Sequence, residues 1–237
     1  MLMNVIEMNN ITKQFEDGDK QIVLQDINIA IKSGEFVAIM GNSGSGKSTL
    51  MNIIGLLDVP SAGTYLLDGK PVATKKENEL AKLRRDKIGF VFQSFNLLTR
   101  LTLLQNVELP MIYTGVKPKV RRARALELLD LVGIKERAGF KPNRISGGQA
   151  QRAAIARALA NEPSLLLADE PTGNLDSRSS AAIMSELHSL HEQGVTIVMV
   201  THNPELAEEA DRTILLHDGR VVDTPPKKAA SKKKVAK

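Results

Sequence analysis

The stretch Phe36-Val37-Ala38-Ile39-Met40-Gly41-Asn42-Ser43-Gly44-Ser45-Gly46-Lys47-Ser48 decides the fold. Its first five residues are apolar and of buried-strand length. Its last eight match the pattern Gly-x-x-x-x-Gly-Lys-Ser in full, and a helical pattern over about residues 48–57 follows. Strand, glycine-rich turn and helix in that order let successive backbone N–H groups point inward around phosphate oxygens. Lys47 adds a point charge suited to β- and γ-phosphate oxygens. The Ser48 hydroxyl suits Mg²⁺, which prefers oxygen and keeps several waters. An ordinary glycine-rich turn is the competing reading, and the complete motif in its strand-to-helix setting stands against it.

Working outward, residues 165–168 form a second apolar strand that ends in Asp169-Glu170. Ligands of open α/β sheets bind at such carboxyl ends. Asp169 is suited to holding Mg²⁺ through a water, and Glu170 to polarising an attacking water as general base, a role worth about 10²–10⁴ in rate. The alternative is a strand-end salt bridge. Gln93 follows the apolar run 88–92 and can reach the metal or the water; alone it reads as a surface amide. His202 follows strand 195–200, where an imidazole can bond a γ-phosphate, although a lone histidine is more often structural. His188, His191 and His217 lack such a context and are read as surface residues. Phe15 is suited to stacking on adenine, and core packing fits it nearly as well.

A second glycine-rich segment, Ile145-Ser146-Gly147-Gly148-Gln149-Ala150-Gln151-Arg152, opens a helix predicted to end near residue 160. Two bare glycines leave N–H groups open at a helix N-terminus, a site for anionic phosphate. The chain therefore carries two phosphate-binding ends.

The remaining pattern predicts strands at residues 5–11, 22–31 and 64–67, and helices at 77–86, 121–132, 179–192 and 204–210. Hairpin turns are expected at Asp68-Gly69 and, between 213–216 and 220–222, at Asp218-Gly219. Buried strands alternating with helices indicate an α/β fold with a mainly parallel sheet, an antiparallel β portion and a helical insert at about 94–163.

With 237 residues, 42% of them apolar, the chain can bury a real core. It shows no secretory leader pattern and no apolar run of the roughly 18–20 residues that span a bilayer. The absence of cysteine excludes disulfides and thiolate metal sites and fits a reducing cytosol. The formal net charge is +5, but residues 225–237 hold six lysines and no acid, so residues 1–224 carry −1. That tail is expected to lack fixed structure. It reads either as a solvated tail or as a loose attachment to anionic lipid or nucleic acid. A basic nucleic-acid-binding face is not expected.

Taken together and in order, Phe15, residues 41–48, Gln93, the Ser146-Gly147-Gly148-Gln149 segment, Asp169-Glu170, Asn174-Leu175-Asp176 and His202 resemble the nucleotide-binding subunit of ATP-binding cassette (ABC) transporters over residues 5–222. The runs Gly55-Leu56-Leu57-Asp58, Gly89-Phe90-Val91-Phe92-Gln93-Ser94-Phe95-Asn96-Leu97-Leu98 and Ala168-Asp169-Glu170-Pro171-Thr172-Gly173-Asn174-Leu175-Asp176 are similar to the MacB/LolD/FtsE-like branch. The resemblance implies a P-loop NTPase core, a 1–224 ATPase domain, and cofactors ATP and Mg²⁺. It implies a head-to-tail homodimer on ATP binding, in which each ATP lies between the phosphate loop of one chain and the Ser-Gly-Gly-Gln end of the other. Nucleotide contacts would come from Phe15, Gly41, Asn42, Ser43, Gly44, Ser45, Gly46, Lys47, Ser48, Thr49, Gln93, Ser146, Gly147, Gly148, Gln149 and Asp176. Ser48, Gln93 and Asp169 would serve the metal, Glu170, His202 and Lys47 the chemistry, and Asp176 the dimer interface. The loop after Gln93 would meet an integral membrane permease-type subunit at the cytoplasmic face of the inner membrane.

Ile145, Ala150 and Gln105 depart from the common pattern, and none removes a phosphate ligand or the base. Two other functions stand beside this one. A nucleic-acid or translation ATPase is motivated only by the lysine tail, without a long coiled coil or a second cassette. An inactive regulatory cassette is opposed by intact Lys47, Glu170 and His202.

Overall fold

The computed structural model describes residues 3–17, 19–72 and 76–222; the lysine-rich tail lies outside the described residues. The elements begin with β1 (Asn4–Asp17), β2 (Asp19–Lys32), β3 (Phe36–Gly41), α1 (Lys47–Ile54), β4 (Ala62–Leu67) and β5 (Lys70–Pro71). They continue through α2 (Glu77–Lys87), β6 (Ile88–Phe92), α3 (Leu103–Tyr113), α4 (Pro118–Leu131) and α5 (Gly147–Ala158). The chain then forms β7 (Leu165–Asp169), α6 (Ser177–Glu192), β8 (Ile197–Val200), α7 (Pro204–Ala207), β9 (Arg212–His217) and β10 (Arg220–Val222). No helix among the described residues is long and apolar enough to cross a membrane.

The strands form two sheets. One is antiparallel with order β2-β1-β4-β5; the other has order β10-β9-β3-β8-β7-β6. In the second sheet β9, β3, β8, β7 and β6 run parallel, and only β10 is antiparallel. Alternate residues of a strand face opposite sides, and the sequence uses both. Phe36 and Ala38 of β3 pack with α3, α4, α5 and α6. Val37 and Ile39 pack with α1 and the antiparallel sheet. Burial on both faces explains why the strands read as continuous apolar runs. The stretch between β6 and β7 contains α3, α4 and α5, and α5 packs closely on β6. A Cβ on Gly89 would stand 2.4 Å from the Ala158 carbonyl oxygen.

Several boundaries differ from expectation for identifiable reasons. β1 and β2 extend beyond residues 5–11 and 22–31, because register shifts around Asn10 and Asp26, both left-handed (φ 51° and 54°), break the alternation without ending the pairing. α1 stops at Ile54 rather than near 57. Leu56 is left-handed (φ 56°), and the N–H groups of Leu57 and Asp58 turn back to the Asn52 carbonyl. α4 starts three residues earlier than the apolar pattern, on Pro118 at the first helical position. Strand 195–200 shortens to β8, since the Val195 N–H bonds the Leu190 carbonyl at the end of α6. Both expected hairpin turns form, with Asp68-Gly69 and Asp218-Gly219 at positive φ.

His188 and His191 are not simple surface residues. Both are half-buried on α6 and meet the Phe36 ring edge-on, with centroids 5.7 and 5.8 Å away. Their Nε2 atoms lie 2.8 Å from Glu209 and 3.3 Å from Asp211. His217 is exposed, as expected. Gln105 closes a capping box with Thr102 at the start of α3, a task an amide performs as well as a carboxylate. Ala150 is buried within its own chain.

Candidate active site

Because five strands run parallel, their carboxyl ends share one edge of the sheet, where the chain must leave in loops and ligands bind. Gly41 ends β3, Gln93 follows β6, Asp169 ends β7, and His202 lies two residues past β8. The Asp218-Gly219 turn follows β9 at the same edge.

The loop at residues 41–48 is held from several sides. A Cβ on Gly41 would fall 2.3 Å from the Leu216 carbonyl oxygen and 2.5 Å from Ser45 Oγ, so only glycine fits. Gly46 caps α1 in the left-handed region (φ 98°), and the first turn of α1 carries no acid. Its free N–H groups are therefore available to an anion. The Gly219 N–H donates to the Ser45 carbonyl (3.1 Å), and the Gln25 N–H donates to the Gly219 carbonyl (2.8 Å). Lys47 Nζ donates to the carbonyls of Gly41 (2.7 Å) and Asn42 (2.8 Å), so its charge stands over the loop.

A cleft of about 560 Å³ opens here, lined by Gln21, Val23, Ser43, Gly44, Gly46, Lys47, Ser48, Thr49, Glu170 and His202. That size suits a small-molecule site, typically about 300–1,000 Å³. Gln21 and Val23 were not legible in the sequence. They are ordinary strand residues that the antiparallel sheet carries to the cleft. Phe15 pairs in register with Gln21 and is 41% exposed, which removes the core-packing reading. Lys13 Nζ sits 4.9 Å from the Phe15 ring centroid.

Glu170 adopts φ 45°, a conformation unfavourable for a side chain with Cβ. Its N–H donates to the Val200 carbonyl (2.9 Å), and Oε1 lies 2.6 Å from His202 Nδ1. A carboxylate can only accept, which assigns the proton of that contact to Nδ1. Burial holds the Asp169 carboxyl above the usual range; Glu170 raises it further and Lys47 opposes the rise. Gln93 forms a reciprocal amide pair with Asn174. Its Nε2 donates to Asn174 Oδ1 (3.3 Å), and Asn174 Nδ2 returns a bond to the Gln93 carbonyl (3.1 Å). This pair was also missed in the sequence reading, since two amides eighty-one positions apart leave no local pattern.

The second glycine-rich end is well formed but separate. Ser146 caps α5: its Oγ accepts from the Gln149 N–H (3.3 Å), and Gln149 Oε1 accepts from the Ser146 N–H (3.1 Å). The first turn of α5 carries no acid. A Cβ on Gly147 would stand 3.1 Å from Leu175 Cδ2, and one on Gly148 3.1 Å from Ser179 Oγ. Asp176 caps α6, accepting from the Ser179 N–H (2.9 Å) and hydroxyl (2.8 Å), and these bonds hold its carboxyl below the usual range. Neither Ser146, Gly147, Gly148, Gln149 nor Asp176 lines the 560 Å³ cleft. The fold thus groups Lys47, Ser48, Glu170 and His202 in one cleft and leaves the second glycine-rich helix end outside it.

Comparison with known proteins gives a consistent result. The ABC transporter family profile matches residues 24–173. The chain is 55% identical over 219 residues to the uncharacterized ABC transporter ATP-binding protein YvrO of Bacillus subtilis (strain 168), covering 92% of this chain and 96% of that protein. It is 49% identical over 223 residues to the macrolide export ATP-binding/permease protein MacB of Salmonella typhimurium (strain LT2), covering 94% of this chain but 34% of the longer protein. Among solved structures, the ATP-binding cassette MJ0796, a dimer in a post-hydrolysis state bound to ADP and Pi, superimposes with a TM-score of 0.85 at 48% identity, covering 93% of this chain and 98% of that one. With the loop, the strand-end Glu170 and the histidine in one cleft, and with likeness of this extent, the chain belongs to the ABC transporter family, in which it is an ATP-binding subunit that hydrolyses ATP.

Proposed function

We propose that two copies of this chain pack head to tail around two ATP molecules and drive a separate membrane permease. The observation that carries this reading is the separation of the two phosphate-binding ends. α1 and α5 each begin without an acid in the first turn, yet only α1 opens onto the cleft. An end that its own chain cannot use has a role if it completes the site of a second copy. The dimeric state of MJ0796 supports the same arrangement.

Within each site Phe15 stacks on adenine, and the loop N–H groups with Lys47 hold the phosphates. Ser48, Gln93 and Asp169 offer oxygen donors that fit Mg²⁺. Among the described residues no group of three His, Asp or Glu side chains can hold a metal ion. The cation would therefore depend on one carboxylate, neutral oxygens and the phosphates, as Mg²⁺ in nucleotide sites does. When bound, it supplies charge neutralisation at the β- and γ-oxygens. Glu170 takes the proton of the attacking water, and His202, 2.6 Å away, keeps the carboxylate aimed and contacts the γ-phosphate.

A groove of about 380 Å³ lies beside β6, lined in part by Leu57, Phe90, Phe92, Leu109, Tyr113 and Arg157. Its apolar floor and exposed rim residues, Leu57 at 49% and Tyr113 at 69%, support docking of a permease segment. On this reading the chain sits peripherally on the cytoplasmic membrane face. Likeness to MacB supports an export or other MacB/LolD-like system, including lipoprotein release or mechanical transmission. Residues 1–224 act as one ATPase domain, with the helical stretch about 94–163 as its subdomain. Crosslinking a cysteine placed at Tyr113 in native membranes tests the partner: the reading predicts an integral membrane protein, and exclusively cytosolic adducts would refute it.

A further inference from the structure

Gln151 is a fully buried amide on a helix whose other buried residues are alanine and isoleucine. It stands four residues after Gly147, on the same face of α5. Its Nε2 donates to the Pro171 carbonyl at 2.6 Å, one residue beyond Glu170. A carbonyl can only accept, so the amide nitrogen must face Pro171. The other amide atom, Oε1, is buried without a partner. The side chain is therefore committed to this one bond.

What the bond holds is the turn that presents Glu170. That residue sits at φ 45°, and the chain then folds tightly, with the Gly173 N–H donating to the Glu170 carbonyl (3.0 Å) and the Leu175 N–H to the Thr172 carbonyl (3.0 Å). An unfavourable backbone conformation persists only where its surroundings fix it. Upstream, the Glu170 N–H is fixed by Val200. Downstream, a side-chain bond from another element to this turn is supplied by Gln151. The same segment comes close to α5 again at Leu175, whose Cδ2 lies 3.1 Å from where a Cβ on Gly147 would stand. The start of α5 and the base-bearing turn thus meet at two points, of which the Gln151–Pro171 bond is the polar one.

We infer that Gln151 is a positioning residue that couples the Ser146-Gly147-Gly148 helix end to Glu170, so that engagement of one ATP by α5 aims the base at the other. This rests on the head-to-tail reading above. In a closed dimer the glycine pair of a chain meets its partner's nucleotide, whereas Glu170 serves its own. Gln151 is the side chain that spans the two within one chain, and it gives the two sites a mechanical reason to fire together.

The test is a double-mutant cycle on the full chain, with steady-state ATP hydrolysis as the readout. Gln151→Met keeps the length and removes the donor. The expected result is a fall of about tenfold in kcat with KM for ATP unchanged, and a Hill coefficient that drops toward one. In the Glu170→Gln background the same substitution should change the residual rate by less than twofold, because the group it aims is gone. A purely structural role would lower both backgrounds by the same factor, and that result would overturn the inference. So would a raised KM with kcat unchanged. Gln151→Glu is the second variant: only its neutral carboxyl can donate to Pro171, so its rate relative to the wild type should rise as pH falls. A flat ratio in a folded variant also refutes the coupling. If the wild-type chain binds ATP but hydrolyses it without cooperativity as a monomer, the head-to-tail reading fails first, and the two failures are distinguishable.

Discussion

Replacing Glu170 with glutamine should convert a cycling enzyme into one that persists as an ATP-loaded dimer. The substitution is nearly isosteric. The Glu170 N–H bond to Val200 and the φ of 45° belong to the backbone and survive it. An amide oxygen can still accept from His202 Nδ1, so the 2.6 Å contact is weakened rather than lost. What disappears is the proton acceptor for water. A positioned base contributes about 10²–10⁴ in rate, equivalent to roughly 3–5 kcal/mol of barrier. Nucleotide affinity should hardly change, because the loop donors and Lys47 are untouched. It should improve slightly, since one negative charge leaves a site that already pushes Asp169 upward. If opening follows hydrolysis, dimer lifetime lengthens by the same factor as the rate falls. Size-exclusion chromatography with light scattering in ATP and Mg²⁺ reads the mass, and single-turnover hydrolysis reads the rate. A variant that binds ATP yet stays monomeric at high protein concentration refutes the closure argument. Turnover within about twofold of wild type refutes the assignment of the base.

Gly41→Ala places a methyl group 2.3 Å from a backbone carbonyl of β9, which cannot yield without moving the strand, so denaturant unfolding should show a loss of about 1–3 kcal/mol or more together with lost binding of a fluorescent ATP analogue. Asp169→Asn should raise stability at neutral pH while lowering Mg²⁺-dependent turnover. The folded carboxyl titrates above its unfolded value, so the folded state holds more protons between the two, and stability falls as pH rises through that window. The asparagine variant should thus melt higher than wild type at pH 7 and show no gain below about pH 4, where the unfolded carboxyl is also protonated; equal melting temperatures at both pH values would reject the sign. Tyr113→Ser, at an exposed rim position, should alter unfolding free energy by no more than about 0.5 kcal/mol yet reduce recovery of the membrane partner in pull-downs, and undiminished recovery would count against the groove.

How much of this was legible in the sequence follows from where the information lies. The loop at residues 41–48 is contiguous, and its meaning depends on local backbone geometry, so it could be read from one strand-turn-helix. Asp169-Glu170 and His202 were readable because parallel strands send their carboxyl ends to one edge. Knowing that each follows an apolar run is nearly enough to bring them together. Phe15 was ambiguous because exposure depends on the partner strand, and the register that sets it opposite Gln21 is a tertiary fact. His188 and His191 were misread for the same reason: their partners come from two other segments, Phe36 on β3 and Glu209 and Asp211 just before β9. The lengths of β1 and β2 were underestimated because bulges erase the period-two signal that reveals a strand. Gln151 was in plain view inside the quoted octapeptide. Its importance appears only when the other end of its hydrogen bond is known.

Charge gives a further reason for two copies and a cation. Asp169 and Glu170 stand at one strand end, and their mutual repulsion adds to the burial that raises Asp169. A triphosphate entering the cleft adds several more negative charges to the same edge. Within one chain the opposing groups are Lys47, whose ammonium lies over the Gly41 and Asn42 carbonyls, and the acid-free start of α1. A helix end offers about half an elementary charge. One lysine and half a charge do not balance a triphosphate beside two carboxylates. On the proposed head-to-tail reading, a divalent ion held with the help of Asp169 would remove most of the excess, and the acid-free start of α5 from a second copy would add another half charge. On the same reading, once hydrolysis leaves ADP and free phosphate the charge would be divided between two groups that repel, and the α5 end would face a ligand no longer held by the loop. An arrangement that favours closure around ATP would thereby favour opening around its products.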